Sequence, residues 1–405
     1  MKKCKICFVL PYAYSLFNQA TNYIFGGSEV RGYLFGTGLA KFSDYDISFV
    51  VFDHGQPKVE QFGTIEVYAH SYYKSSEKPI SFIGKLGKKL SSYIEHLKPL
   101  NLTIDNYYIS EIKVEIYKHV DADIYCTFGV GNFTAELALF CKRYGKRFVL
   151  FGGSDEDFSE RYYKSSKEVN SYGSVGALCY FSIMQADIII TQTNRQSSLL
   201  GDCFGKSSIT ILSPIAVSNE NNLVVDKNEQ KKYALWIGKS DKVKQPDLLL
   251  QLARSFPEID FVMVLNNSNP SIHRFVLDNK LSNMKVIEYL PFGEMDAYFK
   301  NSFLLINTSV YEGFPNTFLQ AGKYGVPILS LNVDPDDFIT KNQCGIVVEG
   351  DLDKLKQGFL RLANDYSFRK QCSENIREYL RKNHNLKTKI SELHHALQQI
   401  IKEVN

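Results

Sequence analysis

The sequence predicts an α/β protein of two doubly wound parallel-sheet domains facing a central cleft, followed by a helical C-terminal tail. Three observations lead there. Short β-rich runs alternate with helical stretches along nearly the whole chain, the pattern of βα units laid on parallel sheets. The alternation occurs twice, on either side of a polar stretch, SPIAVSNENNLVVDKNEQKK (Ser213–Lys232), that fits an interdomain linker. The 405 residues, 44 % hydrophobic and 22 % charged, suffice for two domains with cores of their own.

The elements follow in order. In the first half, strands are expected at Cys4–Leu10, Asp46–Phe52, Thr64–Ala69, Asp123–Phe128, Arg147–Phe151, Asp187–Thr191 and Ser208–Leu212, with helices between most of them, as at Glu29–Lys41 and Phe133–Tyr144. The second half repeats the rhythm at Tyr233–Gly238, Asp260–Leu265, Met284–Tyr289, Phe303–Thr308 and Pro327–Leu331. Asp351–Asn405 reads as helix. The expected domains are 1–217, 218–385 and a terminal helix, 386–405, that packs back on the first domain. Ligands of open α/β sheets bind outside the carboxyl ends of the strands, so the site belongs in the loops there.

Composition narrows the function. A net charge of +3 gives no electrostatic footprint for nucleic acid. No run approaches the roughly 20 apolar residues of a membrane span. The opening MKKCKICFVLPYAYS reads as a first core strand rather than a leader, because it is broken by Pro11 and lacks a small-residue cleavage site. The eight cysteines are scattered, as in a protein of a reducing compartment. Cys4 and Cys7 form one C-x-x-C inside a strand, where residues three apart face opposite sides, and no second pair completes a zinc site. Asp155-Glu156-Asp157 and Asp334-Pro335-Asp336-Asp337 read as polar loops, so no metal ligand is assigned. Gly129–Thr134 imitates a dinucleotide fingerprint but lacks its third glycine. In Ser81–Lys98, Ile83, Leu86, Leu90, Ile94 and Leu97 make one helical stripe with Lys85, Lys88 and Lys89 opposite. That stretch reads either as a helix lying on an anionic membrane or as a core helix with a solvated face.

The most informative segment is SVYEGFPNTFLQAGKYGVPILSL, Ser309–Leu331. A strand ends near Thr308, and a loop carries Glu312 and Gly313. Pro315 suits the first turn of a helix, and Gly325 stops that helix. The free N–H groups near Asn316 and Thr317 make an anion site, with Gln320 one turn further on the same face.

This segment resembles the retaining GT-B glycosyltransferases of glycosyltransferase family 4, group 1, of the bacterial surface-polysaccharide type. Their signature is a glutamate, a Gly-Phe loop, a second glutamate eight positions on and an A-x-x-x-G-x-P-V tail. Here those are Glu312, Gly313-Phe314-Pro315-Asn316, Gln320 in place of the second glutamate, and Ala321–Pro327. WIGKSDKVKQPD resembles the family's G-R-x(4)-K segment, with Lys239 where the arginine stands and Lys244 at the lysine. FGGSEVRGY resembles its GG-x-E loop, with Gly26 and Gly27 at the glycines. Many relatives carry a histidine after the strand matching Arg147–Phe151; this chain reads FGGSDEDF, with Gly152 at that place.

The resemblance implies two Rossmann-like domains and transfer of a sugar, with retention, from a nucleotide-diphosphate sugar to a saccharide or lipid-linked saccharide, with no metal and no further cofactor. Lys239, Lys244 and Glu312 would be catalytic. Gly26, Gly27, Lys239, Lys244, Gly313, Phe314, Pro315, Asn316, Thr317 and Gln320 would bind the donor. Base contacts are expected from Tyr289–Phe292, Leu290 among them. Asp155 is either an acceptor contact or a helix cap. The setting implied is the cytoplasm, at the inner face of the cell membrane. A non-catalytic sugar-binding or partner subunit and a sugar-nucleotide epimerase remain open beside it.

Overall fold

The computed structural model of the chain describes residues 3–21, 23–74, 102–104, 107–109, 111–170, 172–215 and 232–402. The Ser81–Lys98 stretch lies outside the described residues. The chain divides into two compact units. The first comprises the chain up to Phe17, Ser28–Ile211 and the chain from Ile390 onward; the second comprises Asn18–Gly27 and Leu212–Lys389. The grouping of Asn18–Gly27 with the second unit departs from chain order, and its cause is contact: the Tyr289 hydroxyl donates to the Thr21 carbonyl at 3.2 Å, and Phe25 packs edge-on against Phe292.

The first unit begins with β1 (Lys5–Val9), β2 (Asp46–Asp53), β3 (Val59–Phe62) and β4 (Ile65–Lys74). A separate antiparallel pair follows, β5 (Leu102–Ile104) and β6 (Tyr107–Ile109). Then come β7 (Ile124–Phe128), β8 (Arg147–Phe151), β9 (Ile188–Thr191) and β10 (Ile209–Thr210). The main sheet runs β10-β9-β8-β7-β1-β2-β4-β3. It is parallel except at its edge, where β3 pairs antiparallel with β4 through a two-residue hairpin whose Gly63 takes a positive φ. The alternating polar pattern of VEQF and its short turn explain why this strand escapes a search for buried apolar runs. β1 lies between β2 and β7, and Ile6, Cys7, Phe8 and Val9 have no exposed surface, as a central parallel strand covered on both faces requires. The helix Gly27–Phe42 approaches it closely. A Cβ on Gly36 would come within 2.3 Å of the Phe49 ring, and one on Gly32 within 2.5 Å of Leu10, so the spacing Gly-x-x-x-Gly fits this helix face to the sheet.

The second unit holds β11 (Tyr233–Lys239), β12 (Phe261–Asn266), β13 (Met284–Ile287), β14 (Ser302–Asn307), β15 (Ile328–Ser330) and β16 (Gly345–Val347). Its sheet runs β13-β12-β11-β14-β15-β16 and is parallel throughout. The strand order reverses between β11 and β14, which places a crevice at their carboxyl ends. The C-terminal helical stretch is three helices, Leu352–Asn364, Tyr366–Asn383 and Leu386–Lys402. Asp365 breaks the first from the second, its carboxylate accepting from the Phe368 N–H at 2.9 Å.

All eight cysteines are free. Six are buried; Cys203 is exposed and Cys4 half-buried. Burial pushes the Cys7 thiol up to about 12, so it behaves as a small apolar side chain.

Candidate active site

The reversal between β11 and β14 joins two loops through a dense set of hydrogen bonds. Thr308, just past β14, donates its hydroxyl to the Lys244 carbonyl at 2.7 Å and accepts from the Trp236 indole N–H at 2.9 Å. The Val310 N–H donates to the Val243 carbonyl at 2.9 Å. On the other loop, Asp241 accepts from the Lys244 N–H at 2.8 Å, and Gln245 turns through a positive φ before Pro246 opens a helix. The two loops are therefore one body, and side chains from both meet on it.

There the Lys244 ammonium pairs with Glu312 Oε2 at 2.6 Å, with little of either side chain exposed. Glu312 Oε1 accepts from Asn307 Nδ2 at 2.8 Å and from the Ser309 hydroxyl at 2.7 Å. Burial alone would raise the Glu312 carboxyl. The Lys244 charge and hydrogen bond, with those of Ser309 and Asn307, outweigh burial and hold it below its ordinary value. Glu312 is thus a fixed anion at neutral pH, able to accept a hydrogen bond or stabilise positive charge but poorly suited to give up a proton. Lys239 ends β11 at the same sheet edge, half-buried.

Pro315 precedes the helix Asn316–Lys323, whose first N–H groups have no intrahelical acceptor. Asn316 Nδ2 donates to the Gly27 carbonyl at 2.6 Å, and a Cβ on Gly27 would stand 3.2 Å from that amide. Gly313, Phe314 and Pro315 are buried, while Asn316 and Thr317 are half-buried. The Phe314 ring sits in the core, as does Leu290, so what these two residues offer a ligand is backbone. Gln320 is half-buried, with Nε2 3.8 Å from the Met295 sulfur.

In the first unit, Asp155 accepts from Arg195 Nε at 2.8 Å. The capping role falls two residues later. Asp157 Oδ2 accepts from the Gly153 and Ser154 N–H groups at 2.6 and 2.9 Å, and Oδ1 from Val130 at 3.2 Å. Burial raises its carboxyl to about 6 despite these donors. In the sequence a D-E-D run does not reveal which member turns inward, so nothing there marks Asp157. A Cβ on Gly152 would meet the Phe158 ring at 2.8 Å and Gln196 Oε1 at 3.0 Å. The space that a histidine would need is filled. Arg31 lies beneath, buried, donating to the Gly152 and Ile211 carbonyls at 2.8 and 3.1 Å. Asp334 accepts from the Ile339 and Thr340 N–H groups of the short helix Phe338–Lys341, at 2.7 and 3.1 Å. Among the described residues, no three His, Cys, Asp or Glu side chains are grouped to hold a metal ion, and no helix is long and apolar enough to cross a membrane.

Two comparisons with solved structures cover nearly the whole chain. Sucrose-phosphate synthase from Thermosynechococcus elongatus superposes with a TM-score of 0.72 at 13 % identity, over 99 % of this chain and 100 % of that one. A mutant of TarM from S. aureus, solved in complex with fondaparinux, alpha-GlcNAc-glycerol and UDP, superposes with a TM-score of 0.65 at 12 % identity, over 97 % and 99 %. The fold is GT-B. Residues 218–379 match the family model of glycosyl transferases group 1, so the matched stretch contains the GT-B elements that carry Lys239, Lys244, Glu312 and the helix after Pro315. A curated relative, glycosyltransferase 1 domain-containing protein 1 of Xenopus tropicalis, is 22 % identical over 149 residues, 35 % of this chain. The match spans 43 % of that relative's length.

Proposed function

We propose that the protein is a glycosyltransferase that moves a sugar, with retention and without a metal, from a nucleotide-diphosphate sugar to a hydroxyl of a saccharide or lipid-linked saccharide. The observation that carries this reading is the Lys244–Glu312 pair, set where the strand order reverses and inside the stretch matching glycosyl transferases group 1. Breaking the anomeric C–O bond leaves positive charge on the sugar and negative charge on the diphosphate. Lys239, Lys244 and the N–H groups at Asn316 and Thr317 supply positive potential for the leaving group. Gly26 and Gly27 let the backbone approach the phosphates. Glu312, held ionised, accepts from a donor-sugar hydroxyl and stabilises the cationic ring. The attacking hydroxyl passes its proton to the departing phosphate oxygen. Asp155 lies on the acceptor side, and the work is done in the cytoplasm, at the inner face of the membrane through Ser81–Lys98.

Incubation of the pure protein with UDP-, GDP-, ADP- and dTDP-sugars tests this. Release of free nucleoside diphosphate that accelerates with a saccharide acceptor and persists in EDTA, with the anomeric configuration kept by NMR, is the expected outcome. Conversion of one sugar nucleotide to another without acceptor would instead identify an epimerase, and binding without turnover a non-catalytic subunit.

A further inference from the structure

His384 is a buried imidazole that the reaction above does not use. It follows the helix Tyr366–Asn383 and has no exposed surface. Its Nδ1 lies 2.7 Å from the Ser213 carbonyl oxygen. A carbonyl only accepts, so Nδ1 carries the hydrogen. Nε2 then presents a lone pair and has no hydrogen-bond partner among the described residues. Burial lowers its pKa to about 4, so the ring is neutral near pH 7. Leaving a buried nitrogen unpaired is costly, and a benzene ring would avoid the cost. An imidazole is explained if the place needs both a flat ring and one donor.

The donor holds segment 213–215: besides Nδ1, the His384 carbonyl accepts from the Ile215 N–H at 2.9 Å. The ring faces elsewhere. It lies 5.0 Å from the Phe314 ring, with Tyr379 at 5.4 Å on another side. Phe338 closes the box, 5.0 Å from both Phe314 and Tyr379. Phe314 stands between the Glu312 carboxylate and the helix that opens at Asn316, so the seat of its ring fixes the backbone from which both are presented.

We infer that His384 is a positioning residue for the 312–317 loop: its ring seats Phe314 while its Nδ1–H is anchored on the Ser213 carbonyl. As a statement about donor binding, this rests on the glycosyl-transfer reading; as a statement about the loop, it does not. Two variants of the full chain separate the contacts. His384→Asn keeps a donor for Ser213 and removes the ring; His384→Phe keeps a ring and removes the donor. Amide hydrogen exchange of the ligand-free proteins is the readout. In His384→Asn, peptides covering 312–319 should exchange roughly tenfold faster, with 368–383 unchanged. In His384→Phe, 312–319 should keep wild-type protection while 213–215 opens. Equal exchange at 312–319 in wild type and His384→Asn, or parallel changes at both segments in both variants, overturns the inference, and if His384→Asn does not fold, loss of protection at 312–319 in His384→Phe overturns it. Calorimetry with UDP, GDP, ADP and dTDP runs beside it. Weaker binding to His384→Asn alone is expected, and a wild type that binds none of the four refutes the glycosyl-transfer reading while exchange still decides the role of His384.

Discussion

Glu312 and Lys244 depend on each other in a way that single substitutions expose. Replacing Lys244 by alanine removes a charge-assisted contact, so affinity for a nucleoside diphosphate should fall by about 1.5–3 kcal/mol, roughly ten- to a hundredfold, with a parallel loss of turnover. Unchanged calorimetric affinity and rate would remove Lys244 from the site. The same variant has a pH signature. Glu312 is held below its ordinary value in the folded chain, so its contribution to stability is present above the unfolded carboxylate range and is lost as pH falls through the folded value. Lys244→Ala removes the largest causes of that lowering and leaves only the hydrogen bonds from Ser309 and Asn307. The melting-temperature gap between the two proteins should be widest near neutrality and should close in acid. Gln320 offers a second test. Its amide lies on the Met295 sulfur, a weak acceptor that holds it loosely. Gln320→Glu should bind donor more tightly than wild type and Gln320→Ala less tightly, because a carboxylate accepts from two ribose hydroxyls. Equal calorimetric affinities across all three would take position 320 off the ribose.

At the scale of elements, two loops that end neighbouring strands of the first unit are tied by one carboxylate, Asp157, which joins Val130 after β7 to Gly153 and Ser154 after β8. Its folded value of about 6 lies above the unfolded 3.8. The folded state therefore holds that proton more tightly, and the stability due to this group is full below about pH 4 and lost as pH rises through 6. Urea unfolding of Asp157→Asn between pH 4 and 7 should lack that decline; a wild-type slope retained in the variant would show that another group carries it. Much of this scale was legible in the sequence. The buried parallel strands announced themselves as apolar runs, and Arg147–Phe151 falls on its expected residues. The helix after Pro315 was readable from its proline and the glycine beyond it. What stayed hidden depends on tertiary contact. β3 and β16 are short and only partly buried. The filling of the Gly152 site by Phe158 and Gln196, and the inward turn of Phe314, are decided by neighbours distant in the chain.

For the whole molecule, the division into two units means that a ligand held by one acts unevenly. At a hundred times its dissociation constant a ligand stabilises its fold by about 2.7 kcal/mol. A nucleoside diphosphate should therefore slow exchange in 233–245 and 307–323 well before it slows the first unit's strands β1 and β7. Uniform protection, or protection centred on the first unit, would move the donor site. Unfolding of such a chain need not be two-state, so one melting temperature averages over both sheets.

Trp236 resolves that average. It is the chain's sole tryptophan, nearly buried in β11, and its indole N–H rests on the Thr308 hydroxyl that in turn holds the Lys244 carbonyl. Selectively excited emission therefore comes from the second unit alone, whereas circular dichroism sums both. The protein carries its own optical reporter, one hydrogen bond from the joint between the two site loops. An emission transition that parts from the dichroism transition would show the two sheets melting separately, without any label attached.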